Sequence, residues 1–219
     1  RFSFGSLPTF SIRVILEILQ AHFTMIAIAT ADRSTYGFLR TGTIPLLLVV
    51  DVLSGYTIML KQVMGIILII IALIVLFTNH GINKKGLGPV IFSTINAVAT
   101  LSLYKYDITH FNSIPAEQSI IIFILLLYFI AGSFFIAKEN PFAAIKKPPL
   151  LLQSLTQGIA GVFDSFAYGF APASIISAAR RSFAVFWSIL SGNFYFHEKK
   201  LALKAGALLI VAVGIVLLV

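Results

Sequence analysis

The chain has no cysteine, a single tryptophan and only 11% charged residues. Without a thiol there is no disulfide, no thiolate metal site and no cysteine nucleophile, although compartment is left open. Other catalytic signatures are missing as well. No G-x-x-x-x-G-K-[ST] loop is present to cradle ATP phosphates, and there is no H-E-x-x-H, no G-x-S-x-G and no paired acidic motif. The shortage of charge excludes more than chemistry. Soluble domains carry about a quarter charged residues, so a water-soluble core of this length would need far more polar surface.

What fills the chain is apolar: 58% of its 219 residues are hydrophobic and the mean hydropathy is +0.98. The apolar runs recur along the whole length, several near the roughly 20 residues that cross a bilayer core of about 30 Å. "GIILIIIALIVLF" and "IIIFILLLYFIAG" are apolar on every side, whereas the strands of a membrane barrel alternate lipid-facing and lumen-facing residues. The pattern predicts an all-α integral membrane protein. Eight spans are read, over 11–31, 34–55, 62–78, 86–105, 117–137, 149–170, 173–196 and 202–219. Their separators, "NHGINKKG", "DITHFNSIP" and "KENPFAAIKKPP", have the Gly, Pro and Asn of loops and are too short to be soluble domains. The chain opens on Arg1 rather than methionine and its last apolar run stops at Val219, which suggests an incomplete chain.

The net charge of +8 does not point to nucleic acid, because the lysines sit in short gaps between spans, as topology signals and headgroup anchors do. Arg33, Lys84, Lys85, Lys138, Lys146, Lys147, Lys199, Lys200 and Lys204 lie in or beside one alternating set of loops. The other set has chiefly Arg1, Arg13, Lys61 and Lys105. By the positive-inside rule the first set is cytoplasmic, which puts Val219 outside.

An internal repeat is legible. "ADRSTYGFLR" and "APASIISAAR" match at Ala31/Ala171, Ser34/Ser174 and Arg40/Arg180, and with one residue of slippage "GIILIIIALIVLF" falls on "GALLIVAVGIVLL", Gly65 on Gly206. The aligned arginines weigh against chance, since charge is scarce. The copies are an odd number of spans apart, so equivalent helices run in opposite directions. Such inverted repeats are the architecture of many secondary transporters.

An ion at the bilayer centre costs at least about 2.5–3.5 kcal/mol, so it faces a partner or a wet cavity. The residues of this kind are Glu17 and His22 in the first span, Arg40 and Asp51 in the second, Asp164 in the sixth, and Arg180 and Arg181 in the seventh. Helical spacing sorts them. Glu17 shares a face with Gln20 and Thr24. Gln157, Gly161, Asp164 and Tyr168 form one stripe; Arg180, Ala184, Trp187 and Ser191 form another, with Arg181 and Ser188 beside it. An arginine fork suits a carboxylate or phosphate and stays charged. Each residue also has a plainer reading. Asp164 or Glu17 neutralises a buried arginine, Arg40 and Arg180 snorkel to the headgroups, His22 and Trp187 pack, and Asp51, Glu198 and Lys199, near helix ends, are structural.

"RRSFAVFWSILSGNFYFHEKKLALKAGALLIVAVGIVLL" resembles the last two helices of EamA-type members of the drug/metabolite transporter superfamily. The matching features are the basic helix start at Arg180 and Arg181, the small residues Ser191 and Gly192, Glu198 before the basic turn Lys199–Lys200, and Gly206 leading the final helix. "RTGTIPLLLVVDVLSGYTIMLKQVMGIILIIIALIVLF" is similar to the fourth and fifth helices, with Pro45 where the family often has proline and Thr57 where it usually has glutamate. The resemblance covers the whole chain with diffuse motifs. It implies a ten-helix protein of two inverted five-helix repeats, of which 1–80 holds helices three to five and 86–219 helices six to ten, the first two being absent. The family's usual topology has both ends in the cytoplasm, opposite to the charge count.

The resemblance further implies a secondary active transporter, not an enzyme, and no cofactor or metal. Its substrate would be an amino acid or other small polar or amphipathic metabolite, with export one direction. The coupling partner would be a proton or other ion, and the location a bacterial cytoplasmic membrane. The cavity would be lined by the first, second, sixth and seventh spans, with Glu17, His22, Arg40, Asp164, Tyr168, Arg180, Arg181 and Trp187 as candidates. Gly42, Pro45, Gly158, Gly161 and Pro172 would allow close packing or bending. Two other classes stay open: a membrane-embedded enzyme acting on a lipid, which needs acid, base or nucleophile at one depth, and a non-transporting helical scaffold. A continuous polar path favours transport; a polar cluster at one surface favours chemistry.

Overall fold

A computed structural model describes residues 1–31, 33–78, 85–196 and 201–218. Every regular element among them is helical: α1 (Leu7–Thr30), α2 (Arg33–Thr41), α3 (Thr43–Leu53), α4 (Leu60–Thr78), α5 (Leu87–His110), α6 (Ile114–Gly132), α7 (Pro148–Ala167), α8 (Ala173–Phe196) and α9 (Leu201–Leu218). Phe4–Thr30, Leu87–His110 and Ile114–Ala137 are long and apolar enough to cross a membrane, and Leu60–Val75 and Leu209–Leu218 are shorter apolar helices. Lys84 and the His197–Lys200 cluster lie outside the described residues. The chain divides into two compact units, one of residues 1–18 and 103–171, the other of residues 19–102 and 172–219.

In the first unit, helix starts follow proline chemistry. Pro115 stands in the first turn of α6 and Pro148 and Pro149 open α7, where a missing N–H is no loss because the first turn has no intrahelical acceptor for it. Beyond Gly132 the chain continues as a π-helical turn, Ser133–Ala137, and stops at Lys138, whose left-handed φ of 54° ends the run.

The second unit holds a departure from the predicted spans. The span read over 34–55 is two helices, α2 and α3, hinged at Gly42. Pro45 explains the break: it has no N–H to give the carbonyl of Thr41, so the helical ladder cannot run through this turn. Neither piece, at 9 and 11 residues, reaches the length a bilayer requires.

Two helix pairs form the interior of this unit. In α3 and α8, Thr43 meets Arg181 while Asp51 meets Ala173 and Ser174, so the helices run antiparallel. In α4 and α9, Gln62 donates to the carbonyl of Leu218 and Gly65 lies against Gly214, again antiparallel. The α4/α9 contact depends on absent side chains. A Cβ on Gly65 would come within 2.7 Å of the Gly214 carbonyl oxygen, and one on Gly214 within 2.6 Å of Ile69. Small residues let helix backbones approach in this way.

Gly206, aligned with Gly65 in the sequence, has open space around it, as do Gly158 and Gly161; these glycines serve no close packing among the described residues. Gly65→Ala is therefore expected to lower stability by about 1–3 kcal/mol through overpacking, whereas Gly206→Ala stays within about 0.5 kcal/mol. Thermal unfolding of both variants in detergent checks the contrast.

Candidate functional site

The hinge in the second unit brings together the polar groups that most resemble a binding site. Thr43, the first residue of α3, is almost wholly buried. Its hydroxyl donates to the backbone carbonyl of Arg40, at 2.7 Å, and accepts from Nε and Nη2 of Arg181, at 3.2 and 3.0 Å. The Arg40 side chain turns the other way, donating from Nη1 to the Ser93 carbonyl at 3.0 Å, with its guanidinium carbon 5.7 Å from the centre of the Tyr36 ring. Arg180 is exposed, yet near enough to Arg40 for the like charges to repel.

Two of the three arginines are half-buried, and all three come from the hinge and from α8. An anion beside them would relieve their mutual repulsion, and the planar fork of donors selects carboxylate or phosphate. Nearby on the same unit, Asn96 donates to Gln20, which donates to Thr24.

The other candidates are placed differently. His22 is exposed on α1, and Trp187 is 62% exposed on α8. The stripe of Arg180, Ala184 and Trp187 is thus the exposed side of α8, while Ala178 and Ser182 are its buried side. The side chains of Ser188 and Ser191 lie outside those described. In the first unit, Asp164 is half-buried on α7, and Tyr168 is buried just after that helix, its ring edge-on to Tyr104 at 5.9 Å. Glu17 faces Arg13 one turn earlier, at 3.6 Å. It serves Arg13 as a counter-ion.

A second polar cluster, in the first unit, was not anticipated from the sequence. Arg13 and Lys105, expected at the headgroups, are 2% and 7% exposed. Arg13 Nη1 pairs with Glu117 Oε1 at 2.5 Å, and its guanidinium lies 4.4 Å from the Tyr104 ring centre. Asn112 donates to Glu117 Oε2 and to Ser6 Oγ. Lys105 donates to the carbonyls of Tyr168 and Ala171, so its ammonium closes the α7 C-terminus, where the helix dipole favours a cation. Asp107 is fully buried against Thr9.

These residues stand at the rims of predicted spans, where a charge ordinarily reaches water. Only the convergence of α1, α5 and α6 removes that route. The usable signal was Arg13 and Glu17 one turn apart within an apolar span. Among the described residues, no group of His, Asp and Glu is placed to hold a metal ion. A scan against protein-family models finds no match for the chain, and a search of curated proteins finds no similar sequence.

Proposed function

We propose that the chain is a secondary active transporter of EamA type, built on an inverted repeat, that carries a small metabolite bearing a carboxylate or other anionic group. The observation that carries the reading is the hinge between α2 and α3, with Arg40 and Thr43 on it and Arg181 bonded to Thr43. Discontinuous helices with exposed backbone ends and convergent polar groups form the substrate sites of many transporters, because irregular backbone is tolerated in a membrane only where it is covered or lines a cavity.

The packing lends support. Of the segments aligned as repeats, the α4 run and the α9 run lie in helices that pair antiparallel, while Arg180 lies on α8, antiparallel to α3, the helix that follows Arg40 across the hinge. An inverted repeat with its pseudo-twofold axis between equivalent helices has that geometry. The eight-span count belongs to this proposal, with α2 and α3 together making one span. The bonded Arg40 and Arg181 and the apolar, largely exposed surfaces of α1 and α6 suit a protein solvated by lipid.

The test is uptake and counterflow of labelled amino acids and small organic acids in proteoliposomes. Saturable, competable flux is expected. Arg181→Ala should reduce it roughly tenfold to a hundredfold, the worth of one or two charge-assisted hydrogen bonds, with folded yield close to that of the unaltered chain. Arg181→Lys should restore little, since an ammonium cannot reproduce the fork. Absence of flux from folded, inserted protein would refute transport; equal loss of flux and folded yield in Arg181→Ala would make that arginine structural.

A further inference from the structure

We propose that Asp107 is a proton-binding site: its carboxyl group is protonated in the folded protein at neutral pH and shares that proton with the hydroxyl of Thr9. The inference stands on the first unit alone and does not rest on the transport reading.

Hydrogen counting carries it. Thr9 Oγ1 lies 2.9 Å from the backbone oxygen of Ser6 and 2.5 Å from Asp107 Oδ1. A hydroxyl has one proton to donate and lone pairs to accept with. If both neighbours were pure acceptors, one short oxygen–oxygen contact would hold no proton. The Ser6 carbonyl can only accept. A protonated Asp107 donates from Oδ1 to Thr9, which then donates to Ser6, and both contacts are satisfied.

The other carboxyl oxygen points the same way. Asp107 is 0% exposed, and its Oδ2 has no hydrogen-bond partner among the described residues. An ionised carboxylate with an unsolvated oxygen is among the costliest groups to bury; a neutral acid costs far less. Neither ion pair of this unit among the described residues includes it. Arg13, on α1, makes its ion pairs with Glu117 on α6 and with Glu17 on its own helix, and Lys105, on α5, is directed at backbone carbonyls. His110, on α5 one turn beyond Asp107, is exposed and bonded to the Tyr106 carbonyl.

Infrared spectroscopy of the full chain in lipid nanodiscs at neutral pH tests the assignment. A carbonyl-stretch band of a protonated carboxyl group is expected, shifted when the protein carries aspartate labelled with carbon-13 at its side-chain carboxyl, and absent in Asp107→Asn, which is nearly isosteric. Thr9→Val should move the band to higher frequency by removing the hydrogen-bond acceptor, and decides the matter if the asparagine variant does not fold. Overturning results are equally direct. They are no such band in the unaltered protein, a band that ignores aspartate labelling and so belongs to Glu17 or Glu117, or an aspartate band that Thr9→Val leaves in place.

Discussion

Glu117→Leu is expected to destabilise the first unit by about 3–5 kcal/mol, the cost of leaving one member of a buried ion pair without the other. The stranded group is Arg13, 2% exposed and bonded to Glu117 Oε1, whose remaining contacts are Glu17 at 3.6 Å and the face of Tyr104. Neither replaces the lost hydrogen bond, and Asn112 loses an acceptor at the same time. The double variant Arg13→Leu/Glu117→Leu should recover most of the stability, because apolar residues of similar volume do without the desolvation both ions require. The comparison is made by heating purified protein in detergent and measuring the monodisperse fraction that survives. A single variant as heat-resistant as the unaltered chain would mean that Arg13 finds another partner or reaches water.

Asp51→Ala should cost at least about 1.5–3 kcal/mol, the value of a hydrogen bond to a charged group. Asp51 is 3% exposed near the end of α3, and its two oxygens accept from the backbone N–H groups of Ala173 at 3.2 Å and Ser174 at 2.7 Å. Those amides open α8, where no intrahelical carbonyl can reach them. The carboxylate therefore caps α8 from another helix and sets its charge against the positive end of the dipole. Asp51→Asn keeps an acceptor and loses the charge, so it should fall between alanine and the unaltered chain. Unfolding midpoints in detergent establish the order. If asparagine proves as damaging as alanine, the negative charge rather than the acceptor geometry is what α8 needs. From its position near a helix end Asp51 reads as structural, and the capping of α8 across the helix pair is visible only in the tertiary structure.

The helices themselves were legible. The spans read over 11–31, 62–78 and 173–196 lie close to α1, α4 and α8, because a run of apolar residues between loop formers is a local property and helix formation is a local response to it. Gly42 and Pro45, residues that the resemblance offers for close packing or bending, stand at the hinge, and the break follows from one missing N–H. The arginines of that hinge were legible as well, since charge inside an apolar run stands out whatever surrounds it. Arg13, Lys105 and Glu117 were not, because at the margin of a span a buried ion and a headgroup anchor look alike.

What the amino-acid order determined unaided is the all-helical, lipid-suited character of the chain, the positions of most helices and the short roster of ions that need partners. The tertiary structure alone decided who those partners are. Glu117 is 104 positions from Arg13, Ser174 is 123 from Asp51 and Arg181 is 138 from Thr43. Gly65 packs on Gly214 rather than on Gly206, the residue that sequence similarity sets beside it. Hydropathy and helical spacing act over a few turns, whereas an ion buried in an apolar interior is satisfied by whichever helix the packing brings beside it.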